Sequence, residues 1–217
     1  MRGLIVLGGD APAASLLAER FAWADVVVAA DRGLQYAMDS DLLPNIVIGD
    51  FDSADVMLAE RARMRGCDVR MLPSMKDRTD GQEALDIALA LGCDEIAMVG
   101  GFGGRFDHQF GHICLLVRAL RHGAKAWMES LEERIACFEK GVAEIKGNVG
   151  DMVSILPFGE GLWVKKVEGL QYPIDNQALP IDYPYGVSNV LTSASAFVTI
   201  TAGTAVVTHS LAPPSTG

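Results

Sequence analysis

A short β-branched run that ends in a glycine and two aspartates constrains the fold of this chain more than any other stretch. Residues 46–53 read IVIGDFDS. Such a run is typical of a strand covered on both faces. In extended backbone the carboxylates of Asp50 and Asp52 would point to the same side. Ligands bind at the carboxyl ends of strands in open α/β sheets, and paired carboxylates there can hold Mg²⁺. For this stretch alone, an acidic turn that caps the next helix is the alternative.

Strand-like and helix-like segments alternate through the first two thirds of the chain. Strand-like runs occupy residues 4–7, 26–30, 46–48, 69–72, 96–99 and 125–128, and helical spacing of apolar residues separates most of them. This rhythm predicts a mostly parallel, Rossmann-like sheet with flanking helices. From about Ile135, short strand-like runs alternate with proline and glycine, which predicts an all-β sandwich or barrel. We therefore expect an α/β domain over residues 1–134 and a β domain over residues 135–217.

Charge and cysteine usage exclude several classes of partner. The formal net charge is −10, which disfavours nucleic acid and anionic membranes as partners. The four cysteines form no C-x-x-C pair and are expected to be small core residues of a reducing compartment. The first apolar run is interrupted by GGD at residues 8–10, which does not fit a signal peptide. No apolar stretch is long enough to span a bilayer, so we expect a cytoplasmic protein.

Four aspartates are expected to converge at the carboxyl edge of the sheet. Each follows a strand or begins the next helix: Asp31, Asp50, Asp52 and Asp80. Four carboxylates without a cation would repel one another, so the set favours a divalent metal with a cationic substrate. Helix caps are the alternative, since Thr79 with Gln82, or Asp80 with Glu83, can form a capping box.

A glycine-rich segment is the second candidate for a binding site. Residues 100–108 read GGFGGRFDH, between a strand and a helix. Free backbone N–H groups in that setting cradle phosphate, and Arg105 can pair with it bidentately. The spacing is neither a Walker motif nor a clean dinucleotide fingerprint. His108 and His112 have a spacing that zinc sites use, but the H-E-x-x-H pattern is missing, so zinc is the weaker reading. Ser188-Asn189 would be a turn by default.

These motifs, taken in order, resemble the thiamin pyrophosphokinase family over nearly the whole chain. The matching stretches are DFDS at 50–53, KDRTDGQEAL at 76–85, GGFGGRFDH at 100–108, GLQYP at 169–173 and SN at 188–189. The resemblance implies conversion of thiamin and ATP to thiamin diphosphate and AMP. It also implies an α/β nucleotide-binding domain, a β-sandwich thiamin-binding domain, and a homodimer with active sites at the subunit interface.

The resemblance also implies roles for individual residues. Mg²⁺ would be bound by Asp50, Asp52 and Asp80. ATP would be held by Gly101, Gly104, Arg105, Asp107 and His108. Thiamin would be bound by Thr79, Asp80, Ser188 and Asn189. The catalytic set would be Asp31, Asp50, Asp52 and Asp80. Our own hypothesis is that a carboxylate of this set, either Asp80 or Asp31, accepts the hydroxyl proton; the sequence does not choose between the two.

Two features depart from the family pattern, and two other functions stay open. Arg32 stands where a glycine is expected, and Val190 and Leu191 follow Ser188-Asn189 where an aromatic residue is expected over thiamin. The acceptor could instead be another hydroxymethyl heterocycle, such as a pterin. A nucleotide-binding sensor without catalysis is the third possibility, although a sensor does not need the full acidic set.

Overall fold

The computed structural model describes residues 1–51, 56–73 and 77–211. The chain divides into two compact units, Met1–Ser130 and Leu131–Gly217. Within the described ranges, no helix has both the length and the apolar character needed to cross a membrane.

The first unit is a sheet of short strands with helices between them. Its strands are β1 (Arg2–Val6), β2 (Val26–Ala30), β3 (Ile46–Gly49), β4 (Asp68–Met71), β5 (Glu95–Val99) and β6 (Lys125–Glu129). Its helices are α1 (Ala14–Trp23), α2 (Gly33–Asp39), α3 (Val56–Met64), α4 (Asp80–Ala90) and α5 (Phe106–Arg121). The strand order is β6-β5-β1-β2-β3-β4, and each neighbouring pair is parallel. The carboxyl ends of these strands therefore lie along one edge.

Burial explains why the central strands tolerate so few polar residues. Every residue of β2 and β3 is buried, as expected for parallel strands covered on both faces. Two details of the sequence prediction are wrong. The helical spacing of apolar residues in α5 predicts that Phe110 faces inward, but it is 48% exposed. Cys114, on the same helix, is exposed, whereas Cys67, Cys93 and Cys137 are buried.

The second unit consists of strands, with no helix among its described residues 131–211. The strands are β7 (Glu133–Phe138), β8 (Gly141–Lys146), β9 (Met152–Glu168), β10 (Asp175–Leu179), β11 (Asn189–Val190) and β12 (Ser195–Ser210). The long β12 pairs antiparallel with β7, β8 and β9. Val153, Ile155, Val164 and Val198 are fully buried in its core. The mixed α/β character predicted from the sequence is thus confirmed.

Candidate active site

The ends of β2 and β3 bring Asp31 next to Asp50. Asp31 adopts a left-handed backbone conformation, with φ of 48°, and its N–H donates to the carbonyl of Ile48 at 2.9 Å. A β-carbon placed on Gly49 would lie 2.8 Å from Asp31 Oδ1. The Asp31 carboxylate therefore lies over Gly49, the residue that directly precedes Asp50. A side chain at position 49 would force the Asp31 carboxylate to shift.

The backbone after Asp50 differs from the extended form that the sequence argument assumed. Phe51 has a φ of 40° and is only 6% exposed because it packs into the core of the first unit. A positive φ is not extended backbone, so the alternation rule fails at Phe51. Asp50 itself is exposed at the strand end. Asp52 lies outside the described residues, as do Ser53 and Lys76.

The start of α4 places Thr79 and Asp80 near the end of β1. Thr79 is the N-cap, and its side chain accepts from the N–H of Gln82 at 3.2 Å. Of the two capping alternatives, the structure has the one on Thr79, since Asp80 is already the first helical residue. A β-carbon on Gly81 would lie 3.2 Å from side-chain carbons of Leu7 and Leu115. This tight packing fixes the half-buried Asp80 close to the segment that follows β1.

The glycine-rich loop, Gly100–Gly104, has a backbone that other residues adopt with difficulty. Gly100, Gly103 and Gly104 have φ between 69° and 72°. His112 ties the loop to α5, because its Nδ1 lies 2.9 Å from the carbonyl of Gly101. A carbonyl only accepts, so Nδ1 carries the proton and donates. Burial lowers the pKa of His112. His112 is thus a structural anchor of the loop.

At the start of α5, Arg105 and Asp107 bind each other. The Arg105 guanidinium donates to the two Asp107 oxygens at 3.1 and 2.5 Å, and both side chains are exposed. The hydrogen bond with Arg105 lowers the pKa of Asp107, and the same bond raises the pKa of Arg105. Asp107 Oδ1 also accepts from the N–H of His108 at 3.0 Å. An exposed pair contributes little to stability, so Arg105 can exchange Asp107 for a phosphate at low cost.

In the second unit, Ser188 and Asn189 line a cavity of about 200 Å³. The Asn189 amide donates to the carbonyl of Tyr172 at 2.6 Å and accepts from the N–H groups of Tyr172 and Val190, both at 2.9 Å. Asn189 is 5% exposed, so its amide holds the Tyr172 segment in place. Ser188 is exposed, with φ of 60°.

Two tyrosines on this cavity were not singled out from the sequence. Tyr172 and Tyr185 both line it, and both rings are about half exposed. They supply apolar faces at a polar rim, which suits a heteroaromatic ligand. The available signal was the cluster of tyrosines around Pro184, but only the fold places Tyr172 beside it.

The donor set at the sheet edge suits a hard cation. Carboxylate oxygens such as those of Asp50 and Asp80 are the ligands that Mg²⁺ prefers. Over residues 1–51, 56–73 and 77–211, no group of three or more His, Cys, Asp or Glu side chains is close enough to hold a metal ion. The zinc reading of His108 and His112 gains no support, because among the described residues these two histidines have no further His, Cys, Asp or Glu side chain close enough to complete a site.

Each of the two units contains a match to a known protein domain. Residues 17–128 match the family model of the thiamin pyrophosphokinase catalytic domain, and residues 142–207 match that of its vitamin B1 binding domain. The thiamine pyrophosphokinase of Bacillus subtilis (strain 168) is 28% identical over 165 residues, which are 76% of this chain and 77% of the relative.

Solved structures of similar fold span nearly the full length. A crystal structure of thiamine pyrophosphokinase from Bacillus subtilis has a TM-score of 0.85 at 25% identity and covers 98% of this chain and 100% of its own. Thiamin pyrophosphokinase from Candida albicans has a TM-score of 0.84 and covers 97% of this chain and 89% of its own; at 16% identity it supports the fold alone. With both domain models matched in order along one chain, this protein belongs to the thiamin pyrophosphokinase family.

Proposed function

We propose that the chain transfers the pyrophosphoryl group of ATP to thiamin, giving thiamin diphosphate and AMP. The observation that carries this proposal is the pair of family domains, catalytic and vitamin B1 binding, matched in order along one chain. A pterin or other hydroxymethyl heterocycle as acceptor has no comparable support, because the second match is to a domain that binds vitamin B1.

Each unit would supply one substrate site. We propose that the first unit is a Rossmann-like nucleotide-binding domain. It would hold ATP at the carboxyl edge of its parallel strands. The second, classed as a β-sandwich, would hold thiamin. Its cavity offers Ser188 beside the tyrosine rings of Tyr172 and Tyr185.

The acidic edge would hold Mg²⁺. Asp50 and Asp80 provide hard oxygen donors, and Asp52 would complete the set. When bound, the cation would neutralise charge on the triphosphate. Asp31 lies against Gly49, so it adds negative charge beside Asp50 and would favour the cationic thiazolium ring of thiamin.

The glycine-rich loop and Arg105 would bind the phosphates. Gly101 and Gly104 have no side chains that would cover the loop backbone. Arg105 has a planar guanidinium group whose geometry matches phosphate oxygens. Asp107 and His108 are adjacent and would shape the same site. The Asp107 carboxylate accepts two hydrogen bonds from the Arg105 guanidinium.

The reaction would be a single in-line displacement. The thiamin hydroxyl attacks the β-phosphorus of ATP, AMP leaves, and the hydroxyl proton passes to Asp80 or Asp31. Positioning of the two substrates provides most of the rate enhancement. Thr79 would help to orient thiamin from the start of α4. We also propose a homodimer with active sites at the subunit interface. Light scattering of the purified protein would test the dimer.

An acceptor panel tests the proposed function. The protein is incubated with ATP and Mg²⁺, and with thiamin, a hydroxymethyl pterin or no acceptor, and AMP is measured by chromatography. AMP with thiamin only, matched by an equal amount of thiamin diphosphate, is the expected result. AMP with the pterin would support the alternative acceptor, and no AMP in any sample would support a non-catalytic sensor.

A further inference from the structure

Three residues after β1, Gly8–Asp10, form a brace along the glycine-rich loop. The β1–β5 pairing runs from Arg2 to Val6, but backbone hydrogen bonds continue beyond it. The N–H of Gly9 donates to the carbonyl of Gly100 at 2.7 Å, and the N–H of Asp10 donates to the carbonyl of Phe102 at 2.8 Å. The brace therefore fixes the path of the glycine-rich loop by two bonds that belong to neither strand.

A tyrosine on α2 holds the brace from the other side. The hydroxyl of Tyr36 donates to the carbonyl of Gly9 at 2.6 Å, and the ring is partly buried. Helix α2 begins at Gly33, just after Asp31. Tyr36 thus connects helix α2, which follows Asp31, to the brace. The brace in turn binds the glycine-rich loop, which would hold phosphate.

The side chain of Asp10 packs against the glycine-rich loop at Gly103, which has no β-carbon. A β-carbon placed on Gly103 would lie 1.9 Å from Asp10 Cγ and Oδ2, and Gly103 has a φ of 72°. The carboxyl group of Asp10 therefore occupies the space that any other residue at 103 would need. The shape of this carboxyl and the backbone of Gly103 are matched to each other.

We propose that Tyr36 and Asp10 are positioning residues for ATP, which hold the glycine-rich loop in its binding conformation through the brace. The inference rests on the proposed function in one respect, that this loop binds the phosphates. A loop already ordered before binding loses less conformational entropy when the nucleotide arrives. Loosening the brace should thus weaken ATP binding and leave the chemical step and thiamin binding nearly unchanged.

The first test removes one hydroxyl. Tyr36→Phe should raise both the Kd and the KM for ATP about five-fold, since a net hydrogen bond contributes about 1 kcal/mol. The kcat and the KM for thiamin should stay within about two-fold of wild type. Gln35→Ala is the matched control, because it also removes a side-chain hydrogen bond from α2, to Asp39 at 2.6 Å. It should leave the Kd for ATP unchanged.

The second test uses the fit of Asp10 to Gly103. Gly103→Ala should raise the Kd for ATP about ten-fold or more, because the added methyl group meets the Asp10 carboxyl at a positive φ. In the double variant Asp10→Ala/Gly103→Ala the carboxyl is gone. The increase in the Kd for ATP should therefore be smaller than the product of the increases in Asp10→Ala and Gly103→Ala. Asp10→Asn keeps the shape and should remain within about two-fold of wild type.

ATP binding, measured by calorimetry without thiamin, separates this inference from the proposed function. Wild type that binds ATP but makes no thiamin diphosphate would overturn the proposed function only. An unchanged Kd in Tyr36→Phe, or effects of Asp10 and Gly103 that simply multiply, would overturn the inference, whether or not wild type is active. The inference would also be overturned if Asp10→Asn bound ATP as weakly as Asp10→Ala, both more weakly than wild type. The charge of Asp10, and not its shape, would then be responsible.

Discussion

Asp50 shows how one residue acquires a role from its neighbours. The sequence pattern predicted an acidic strand end, and the structure has Asp50 exposed there with the Asp31 carboxylate over the preceding glycine. The direction of the following residue was not predictable, because the turn at Phe51 depends on a hydrophobic core assembled from distant segments. Local pattern therefore identified the candidate residues but not the backbone geometry between them.

Asp50→Asn should lower turnover about 100-fold or more while leaving the fold intact. The side chain is exposed, so its removal costs little stability, whereas the loss of charge would weaken binding of the metal. AMP release at increasing Mg²⁺ concentrations measures the effect. Asp39→Asn, at the exposed end of α2, serves as the control and should behave as wild type. Normal turnover of Asp50→Asn with unchanged Mg²⁺ dependence would contradict the metal assignment.

His112 makes stability depend on pH in a definite direction. Burial lowers the pKa of His112 in the folded state below 6.5, its ordinary value. The unfolded chain then binds the proton more readily, so His112 contributes full stability above about pH 6.5. This contribution is lost as the pH falls through the lower pKa of the folded state.

We expect the free energy of unfolding to fall as the pH decreases below about 6.5, with part of the fall due to His112. Denaturant unfolding at each pH measures it. His112→Asn keeps an N–H donor near the Gly101 carbonyl but does not titrate, so this variant should show a flatter profile. An unchanged slope in His112→Asn would mean that other groups cause the pH dependence.

At the scale of elements, the periodicity of the sequence was sufficient for the strands of the first unit and less so for the helix faces. Short apolar runs predicted β2 and β3 because parallel strands buried on both faces leave no other pattern. The outer face of α5 was misassigned at Phe110, since apolar residues also occur on the exposed side of a helix. The link between Asn189 and Tyr172 was not predictable, because 17 residues separate the two.

Helix α1 is fastened to the sheet by a partly buried ion pair. The Arg20 guanidinium donates to both carboxylate oxygens of Glu129, at 3.3 Å for one of them. The side chains are 14% and 4% exposed. Arg20→Met should lower the free energy of unfolding by about 3 kcal/mol, because a buried carboxylate loses its cation.

Denaturant unfolding of Arg20→Met, with Arg63→Met as the surface control, tests this pair. Arg63 forms an exposed i,i+3 pair with Glu60, and its replacement should change stability by less than about 1 kcal/mol. The double variant Arg20→Met/Glu129→Met should recover most of the loss. Equal effects of Arg20→Met and Arg63→Met would show that burial adds nothing to the Arg20 pair.

At the scale of the whole molecule, the order of motifs carried more information than any single motif. Each stretch had an ordinary explanation: a cap at Thr79, a turn at Ser188, a glycine-rich loop after β5. Their succession predicted the family, which the two domain matches confirm. The residues that hold the loop and the cavity in shape, such as Tyr36 and Asn189, make contacts that only the folded chain creates. Tyr36 lies in no motif, and the motif that contains Asn189 did not predict its bonds to Tyr172.

The fate of the α-phosphorus of ATP tests the central claim most directly. Protein, Mg²⁺ and thiamin are incubated with ATP labelled with ³²P at the α-position, and the labelled products are separated by chromatography. Transfer of a pyrophosphoryl group predicts that the label appears in AMP, in an amount equal to the thiamin diphosphate formed. Label in ADP, together with thiamin monophosphate, would contradict the account.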